Sequence, residues 1–230
     1  MILDKVEGFA ALSKSGMHVV RARYVDSAED AIAFAARRDA KDERAVPIVL
    51  RALVPEGGRS PEELIEGPLA GHDPIRAAYR RLTAREPVVG RILAEVAVGP
   101  GTDISIEGRE DAALGKVVAL QDGGAHGMER MIPFGEDGAA MLVEHFQANH
   151  HRPHGEQTRK MLEHLLVRVS AFYEESGVES FVLAPVRLHE NSYTILDATL
   201  RAAGPLAVGK RLAHHAHDRK GYDYHPSGRQ

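Results

Sequence analysis

Apolar and polar positions along this chain follow two rhythms, and the boundaries between them outline its elements. In residues 3–15, Val6, Phe9, Ala10 and Leu12 share the spacing of one helical face, and Gly16 ends the segment. Residues 17–24 then read as a short strand. Ser27 with Asp30 three residues on has the form of a capping box, and Ala31, Phe34 and Ala35 give the helix behind it an apolar face. The charged run 37–44 reads as a solvated helix end and loop. Residues 47–54 form a concentrated apolar strand broken by one charge, Arg51. Residues 56–73 are rich in glycine, proline and acids, and Ser60-Pro61-Glu62-Glu63 predicts at most a short helix there. Asp73-Pro74 has the form of an N-cap followed by proline at the first helical position, and Ile75, Ala78, Tyr79 and Leu82 continue at helical spacing.

Residues 92–124 carry the strongest strand pattern. Residues 92–98 are apolar except for Glu95, Gly99-Pro100-Gly101 signals a turn, residues 104–107 alternate, and residues 117–120 lead to the pair Gly123-Gly124. Three consecutive strands follow from this pattern, and the paired glycines allow a close backbone approach to a ligand. Residues 131–134 are a short apolar piece, and 137–147 a helix carrying Ala140, Met141, Glu144 and His145. The longest amphipathic segment is 156–175, with Met161, Leu162, Leu165, Leu166, Val169, Phe172 and Tyr173 along one stripe, as a core helix requires. Residues 181–188 and 193–196 flank His189-Glu190-Asn191-Ser192 and predict a hairpin. This order of elements predicts an α/β or α+β chain of sheet and helix layers, and excludes a single doubly wound repeat. Residues 201–230 lack apolar periodicity and read as a histidine-rich polar tail.

Composition changes this picture in few places. With 29 basic and 33 acidic residues, a net charge of −4 and no basic block in the patterned segments, nucleic acid is a poor partner. No apolar run approaches transmembrane length, and residues 1–16 lack the apolar core of a signal peptide, so a cytoplasmic protein without membrane attachment is expected. The absence of cysteine excludes disulfides, thiolate metal sites and a cysteine nucleophile.

Candidate chemistry starts with Arg51, since a cation in an apolar strand is expensive unless its head reaches water or an anion. A guanidinium at the sheet rim and a binder of phosphate or carboxylate remain equal readings. Asp103, Ser105 and Glu107 alternate with Ile104 and Ile106, so the two carboxylates share one side of a strand. Solvated acids are the ordinary reading, and a hydroxyl- or metal-binding edge the minority one. Of thirteen histidines, eight cluster at His145, at His150, His151 and His154, and at His214, His215, His217 and His225. They admit zinc or nickel, but without an HExxH spacing the solvated-loop reading is favoured. No nucleophile elbow, P-loop or dinucleotide fingerprint is present.

Over roughly residues 1–200 the chain resembles the ATP-grasp subunit of NDP-forming acyl-CoA synthetases, the group of acetate–CoA ligase (ADP-forming) and succinyl-CoA synthetase. The resemblance rests on an ordered series of signatures. Ser15-Gly16 precedes Val19-Val20, Ser27-Ala28-Glu29-Asp30-Ala31 opens a helix, and Pro47-Ile48-Val49-Leu50-Arg51 stands where the family has a strand ending in lysine. Glu95-Val96-Ala97-Val98 with Gly101-Thr102-Asp103 is similar to the family's hinge strand and Gly-x-Glu. Asp111 through Gly115, Gly123-Gly124, Arg130 with Pro133, the helix from Asp137, Pro185 and Asp197-Ala198 complete the series.

The resemblance implies an ATP-grasp fold of two lobes with mixed sheets packed by helices, residues 1–88 and 89–200, followed by the tail 201–230. It implies ATP or ADP with magnesium, and an acyl-CoA made or consumed through an acyl phosphate and a phosphohistidine. The hinge backbone at Glu95, Val96 and Val98 would meet adenine, Arg51 a phosphate, Asp103 a ribose hydroxyl, and Gly123 and Gly124 would begin a phosphate loop. The departures point the other way. The phosphohistidine segment corresponds to Glu56-Gly57-Gly58-Arg59-Ser60-Pro61-Glu62, with no histidine, and the magnesium-binding Asp/Glu-x-Asn-Pro reads Val182-Leu183-Ala184-Pro185. The expectation is a non-catalytic relative that binds a nucleotide, another small ligand or a partner protein, as a homo-oligomer or with a CoA-binding subunit. The alternatives are an active acid–thiol or acid–amine ligase using relocated groups such as Asp111, His126, Glu129 and Arg130, and a histidine-bound metal protein.

Overall fold

The computed structural model describes residues 1–36, 46–53, 64–84, 90–122, 128–150, 155–204 and 206. Two sheets, each with its own apolar core, are built from interleaved parts of the chain. Helix α1 (Lys5–Lys14) is capped by Asp4, whose carboxylate accepts from the Val6 N–H, and it ends at Gly16, where φ is +77°. Strand β1 is Ala22–Val25, shorter than the strand expected at 17–24. The residues before it run along the second sheet, where Met17 and Val20 join its core, the Val20 N–H donates to the Ile195 carbonyl at 2.9 Å, and a parallel bridge pairs Val19 with Ile195. Helix α2 (Ala28–Ala35) starts as its spacing predicts, with the Ser27 hydroxyl accepting from the Asp30 N–H at 3.0 Å.

Strands β2 (Ile48–Leu53), β3 (Ile65–Leu69) and β4 (Arg91–Val96) complete the first sheet, in the order β1-β4-β2-β3, all antiparallel. β3 occupies residues expected to be loop. It is an edge strand, where Gly67 and Pro68 are tolerated because one side of the backbone needs no partner. Helix α3 is His72–Thr83 with Gly71 as its N-cap, at φ +89°, in place of the expected Asp73. The reversal out of β3 needs a positive φ, which glycine adopts without strain. Ala31, Ile32 and Phe34 of α2 and Ile75 and Leu82 of α3 cover Ile48, Leu50 and Ile92 of the sheet.

Gly99-Pro100-Gly101 does not close a hairpin. It carries the chain from β4 into the second sheet, which contains β5 (Thr102–Asp111), β6 (Gly115–Gln121), β7 (Glu129–Met131), β8 (Val178–Leu188), β9 (Tyr193–Ile195) and β10 (Ala198–Ala202). The order is β10-β8-β5-β6-β7, with β9 also on β8, and every named pairing is antiparallel. The mixed sheets expected thus reduce to the one parallel bridge. The β8–β9 hairpin forms where expected, closed by the His189 N–H on the Ser192 carbonyl at 2.8 Å. β10 uses Arg201 and Ala202, the first residues of the expected tail. Helix α4 is Glu136–His150 and α5 is Glu156–Glu175, the latter with the bounds its stripe predicts.

α4 and α5 pack on the second sheet, and α1 joins them, since Phe9 and Leu12 belong to the core of Val118, Leu166, Phe181 and Leu200. Gly108 of β5 lies under the Phe181 ring, where a Cβ would stand 2.0 Å from a ring carbon. Each core therefore draws on chain from both sides of residue 88: α1 serves the second and β4 the first. Among the described residues no helix is long and apolar enough to cross a membrane.

Candidate functional site

Register places the first polar pair. Val49 of β2 lies opposite Glu95 of β4, so Arg51, two residues on, is Glu95's diagonal neighbour on the same face. The Arg51 Nε donates to Glu95 Oε2 at 3.2 Å. Lys5, at the start of α1, brings its ammonium within 3.2 Å of Glu95 Oε1 and 3.2 Å of Asp197 Oδ2. Asp197, in the turn from β9 to β10, also lies 4.0 Å from the Arg51 guanidinium. Two cations and two carboxylates thus close a network across the two sheets.

The network is largely dry. Side-chain exposure is 6% for Glu95, 11% for Lys5, 22% for Arg51 and 28% for Asp197. Charges at such depth persist only when each is paired, because desolvation opposes their burial. Asp197 is further engaged through Oδ1, which accepts from the Ala198 N–H at 2.8 Å, and its carbonyl accepts from the Ala184 N–H at 3.1 Å.

Val19, Val20, Arg21, Val46, Val96, Val98 and Thr194 line a cavity of about 220 Å³ between the sheets. Its walls are mainly valine, and its volume is below that of an ordinary drug-sized pocket, which suits a base-sized group better than a whole nucleotide. Around it the hinge backbone is partly engaged: the Val96 N–H donates to the Arg21 carbonyl at 3.0 Å and the Ala97 N–H to that of Pro47 at 2.8 Å. Asp103 faces Arg187 across β5 and β8 and accepts from it at 2.7 and 2.8 Å. This bidentate bond holds the Arg187 pKa above its ordinary value. The same guanidinium donates to the Gly99 carbonyl at 3.3 Å, fixing the crossing between sheets.

Of the residues expected at a nucleotide site, Arg51 and Glu95 touch, Val96 and Val98 line the cavity, and Asp103 is paired with Arg187. Gly123 and Gly124 lie outside the described residues, as do His126 and the segment 56–62. Asp111 and Glu129 are drawn together by Arg109, at 3.1 and 2.6 Å. Arg130 and Pro133 line a shallow depression of about 940 Å³ at the start of α4. Among the described residues no group of three histidine or acidic side chains could hold a metal ion. Lys5 carries no sequence signal of a site, being a charge in a helix's first turn, whereas Arg187, a lone cation in an apolar strand, carries the same signal as Arg51.

Magnesium demands near-octahedral oxygen coordination, with carboxylates and phosphates as its usual partners in such clefts. At the positions that the resemblance gives to its ligands stand the side chains of Val182 and Ala184, which offer no oxygen. Asp197, directly across from Ala184, already neutralises an ammonium. The residues present do not fit the ion.

Two antiparallel sheets, each packed by helices and joined through a charged network and the crossing after β4, have the make-up of an ATP-grasp fold. Residues 1–202 match the family model of the ATP-grasp domain, and the chain belongs to that family. No curated protein matches it in sequence. Among solved structures it is similar to dinucleotide forming acetyl-coenzyme A synthetase 1 of Ca. Korarchaeum cryptofilum, in complex with coenzyme A, Ca-AMPCP and HgCl+. That match has a TM-score of 0.74 at 20% identity and covers 87% of this chain and 93% of the other. PH1788 from Pyrococcus horikoshii Ot3 matches with a TM-score of 0.70 at 15% identity, covering 89% and 91%. ATP citrate lyase from Methanothrix soehngenii, in complex with citrate and coenzyme A, matches with a TM-score of 0.51 at 12% identity, covering 80% of this chain and 52% of that one. At these identities the likeness is one of fold.

Proposed function

We propose that this chain is a non-catalytic ATP-grasp protein that holds an adenine nucleotide, or another small anion, at the hinge edge of its cleft without transferring a phosphoryl group. The observation that carries this reading is the closed network of Lys5, Glu95, Arg51 and Asp197. Phosphoryl transfer depends almost entirely on metal and cation placement around the phosphates. Here the two cations of the network, Lys5 and Arg51, are committed to the chain's own carboxylates, and the side chains at 182 and 184 offer no oxygen to a metal. The base would enter the cavity at Val96 and Val98 and meet the backbone near Glu95. A phosphate would compete with Glu95 for Arg51, and a ribose hydroxyl would meet Asp103. Partnership with a CoA-binding subunit, or with a second copy, belongs to the same reading, supported by the fold shared with an acetyl-coenzyme A synthetase.

Isothermal titration with ATP and with ADP, each with and without magnesium, tests the binding. Heat of similar size in both conditions, lost in Arg51→Ala, is expected; no heat from either nucleotide sinks it. Phosphate release across a panel of carboxylic acids tests the absence of catalysis. A flat response is expected, and acid-dependent release would favour the acid–thiol or acid–amine ligase instead.

A further inference from the structure

We propose that the Lys5 ammonium is a resident cation standing where a divalent ion would otherwise bridge Glu95 and Asp197. The inference concerns the same cleft as the proposed function and rests on no bound nucleotide. Its basis is geometric: one Nζ lies 3.2 Å from an oxygen of each carboxylate, and those carboxylates come from different sheets. A cation joining two carboxylates from separate elements is the usual arrangement of a bridging metal; here the ammonium pairs with both by charge, while the buried Glu95 Oε1 accepts no hydrogen bond.

Charge and position both support the substitution. Glu95 and Asp197 supply two negative charges, and Lys5 with Arg51 supplies two positive ones, so the network is neutral as it stands. A divalent ion added to it would leave uncompensated charge in a largely dry site. Asp197 accepts at its carbonyl from the Ala184 N–H, so the ammonium sits beside the position where a side-chain oxygen is missing. Lys5 is held there by its own helix: Asp4 caps α1, and the ammonium lies 5.6 Å from the centre of the Phe9 ring, one turn on. An anion entering the cleft would therefore meet an ammonium and a guanidinium directly, with no metal between.

The test uses the full chain and Mn2+ alone, with free Mn2+ followed by electron paramagnetic resonance. Histidine background is common to all variants and cancels between them. Wild type and Asp197→Asn are expected to bind the same amount of Mn2+. Lys5→Ala, and Lys5→Met which keeps an apolar stem over Phe9, are expected to gain about one Mn2+ per chain through the freed carboxylates, and Asp197→Asn added to either should abolish the gain. Loss of a site in Asp197→Asn relative to wild type, or no gain in folded Lys5 variants, overturns the proposal. Should both Lys5 variants fail to fold, the first comparison decides alone: equal binding supports it and a lost site refutes it. Because no nucleotide is present, this result is independent of the titrations with ATP and ADP.

Discussion

Arg51 shows how a single residue can be read correctly in kind and still not in its partner. A cation inside an apolar strand must reach water or an anion, and the anion is the chain's own Glu95, at 3.2 Å. Glu95 is the most buried member of its network and is bound by two cations. Glu95→Ala leaves both cations short of a partner, so a loss of about 3–5 kcal/mol is expected, the usual consequence of breaking a buried pair. Asp103 is 43% exposed, and Asp103→Ala is expected to cost only about 0.2–1 kcal/mol despite its bidentate bond to Arg187, since solvent screens such pairs. Urea denaturation of both variants checks the contrast; equal losses would mean that the cleft network contributes no more than a surface pair. The charge of Arg51 was legible because its neighbours are apolar. Lys5 and Asp197 were not legible as its company, because sequence spacing says nothing about a helix start and a distant turn meeting across two sheets.

At the scale of elements, legibility followed the strength of the period. α5 has the expected bounds because its stripe spans many turns, and α2 starts at its capping pair. β3 was missed because an edge strand with Gly67 and Pro68 looks like loop, and β10 because its alternation runs into the polar tail. The β5–β6 hairpin illustrates a local signal with a testable electrostatic consequence. Its turn is held by Asp111, whose carboxylate accepts from the Ala113 and Leu114 N–H groups at 2.9 and 3.0 Å and from Arg109. The bonds to Ala113 and Leu114, followed by that to Arg109, hold the Asp111 pKa below its ordinary value of 3.8. A depressed carboxylate contributes fully above the ordinary value, and its contribution is lost as pH falls through the lower, folded one. The amide shifts of Ala113 and Leu114, followed by NMR down the acid range, are therefore expected to inflect below 3.8, and closer to it in Arg109→Ala. An inflection at or above that value in the wild type would mean that the turn does not depend on the ionised carboxylate.

The whole molecule turns on how two cores are joined. The class of fold was legible from the order of elements, but the partition into sheets was not, because Gly99-Pro100-Gly101 carries the signal of a hairpin turn while joining β4 of one sheet to β5 of the other. The chain also crosses at the start of α1, and there two adjacent residues act together. Asp4 accepts from the Tyr24 hydroxyl at 2.8 Å and pairs with Arg91, while Lys5 pairs with Glu95. Tyr24, Arg91 and Glu95 lie on β1 and β4 of the first sheet, whereas α1 packs in the core of the second. The helix start is thus a clasp between units that each have a core of their own, and units of that kind unfold together only while their junction holds. The double variant Asp4→Ala with Lys5→Met removes the clasp and leaves both apolar cores untouched. Scanning calorimetry is expected to give one transition for the wild type and two for the variant, with the second-sheet unit losing most because α1 loses its cap as well, worth about 1 kcal/mol by itself. A single transition in the variant, merely displaced to lower temperature, would show that apolar packing across the crossing segments joins the cores without the charged clasp.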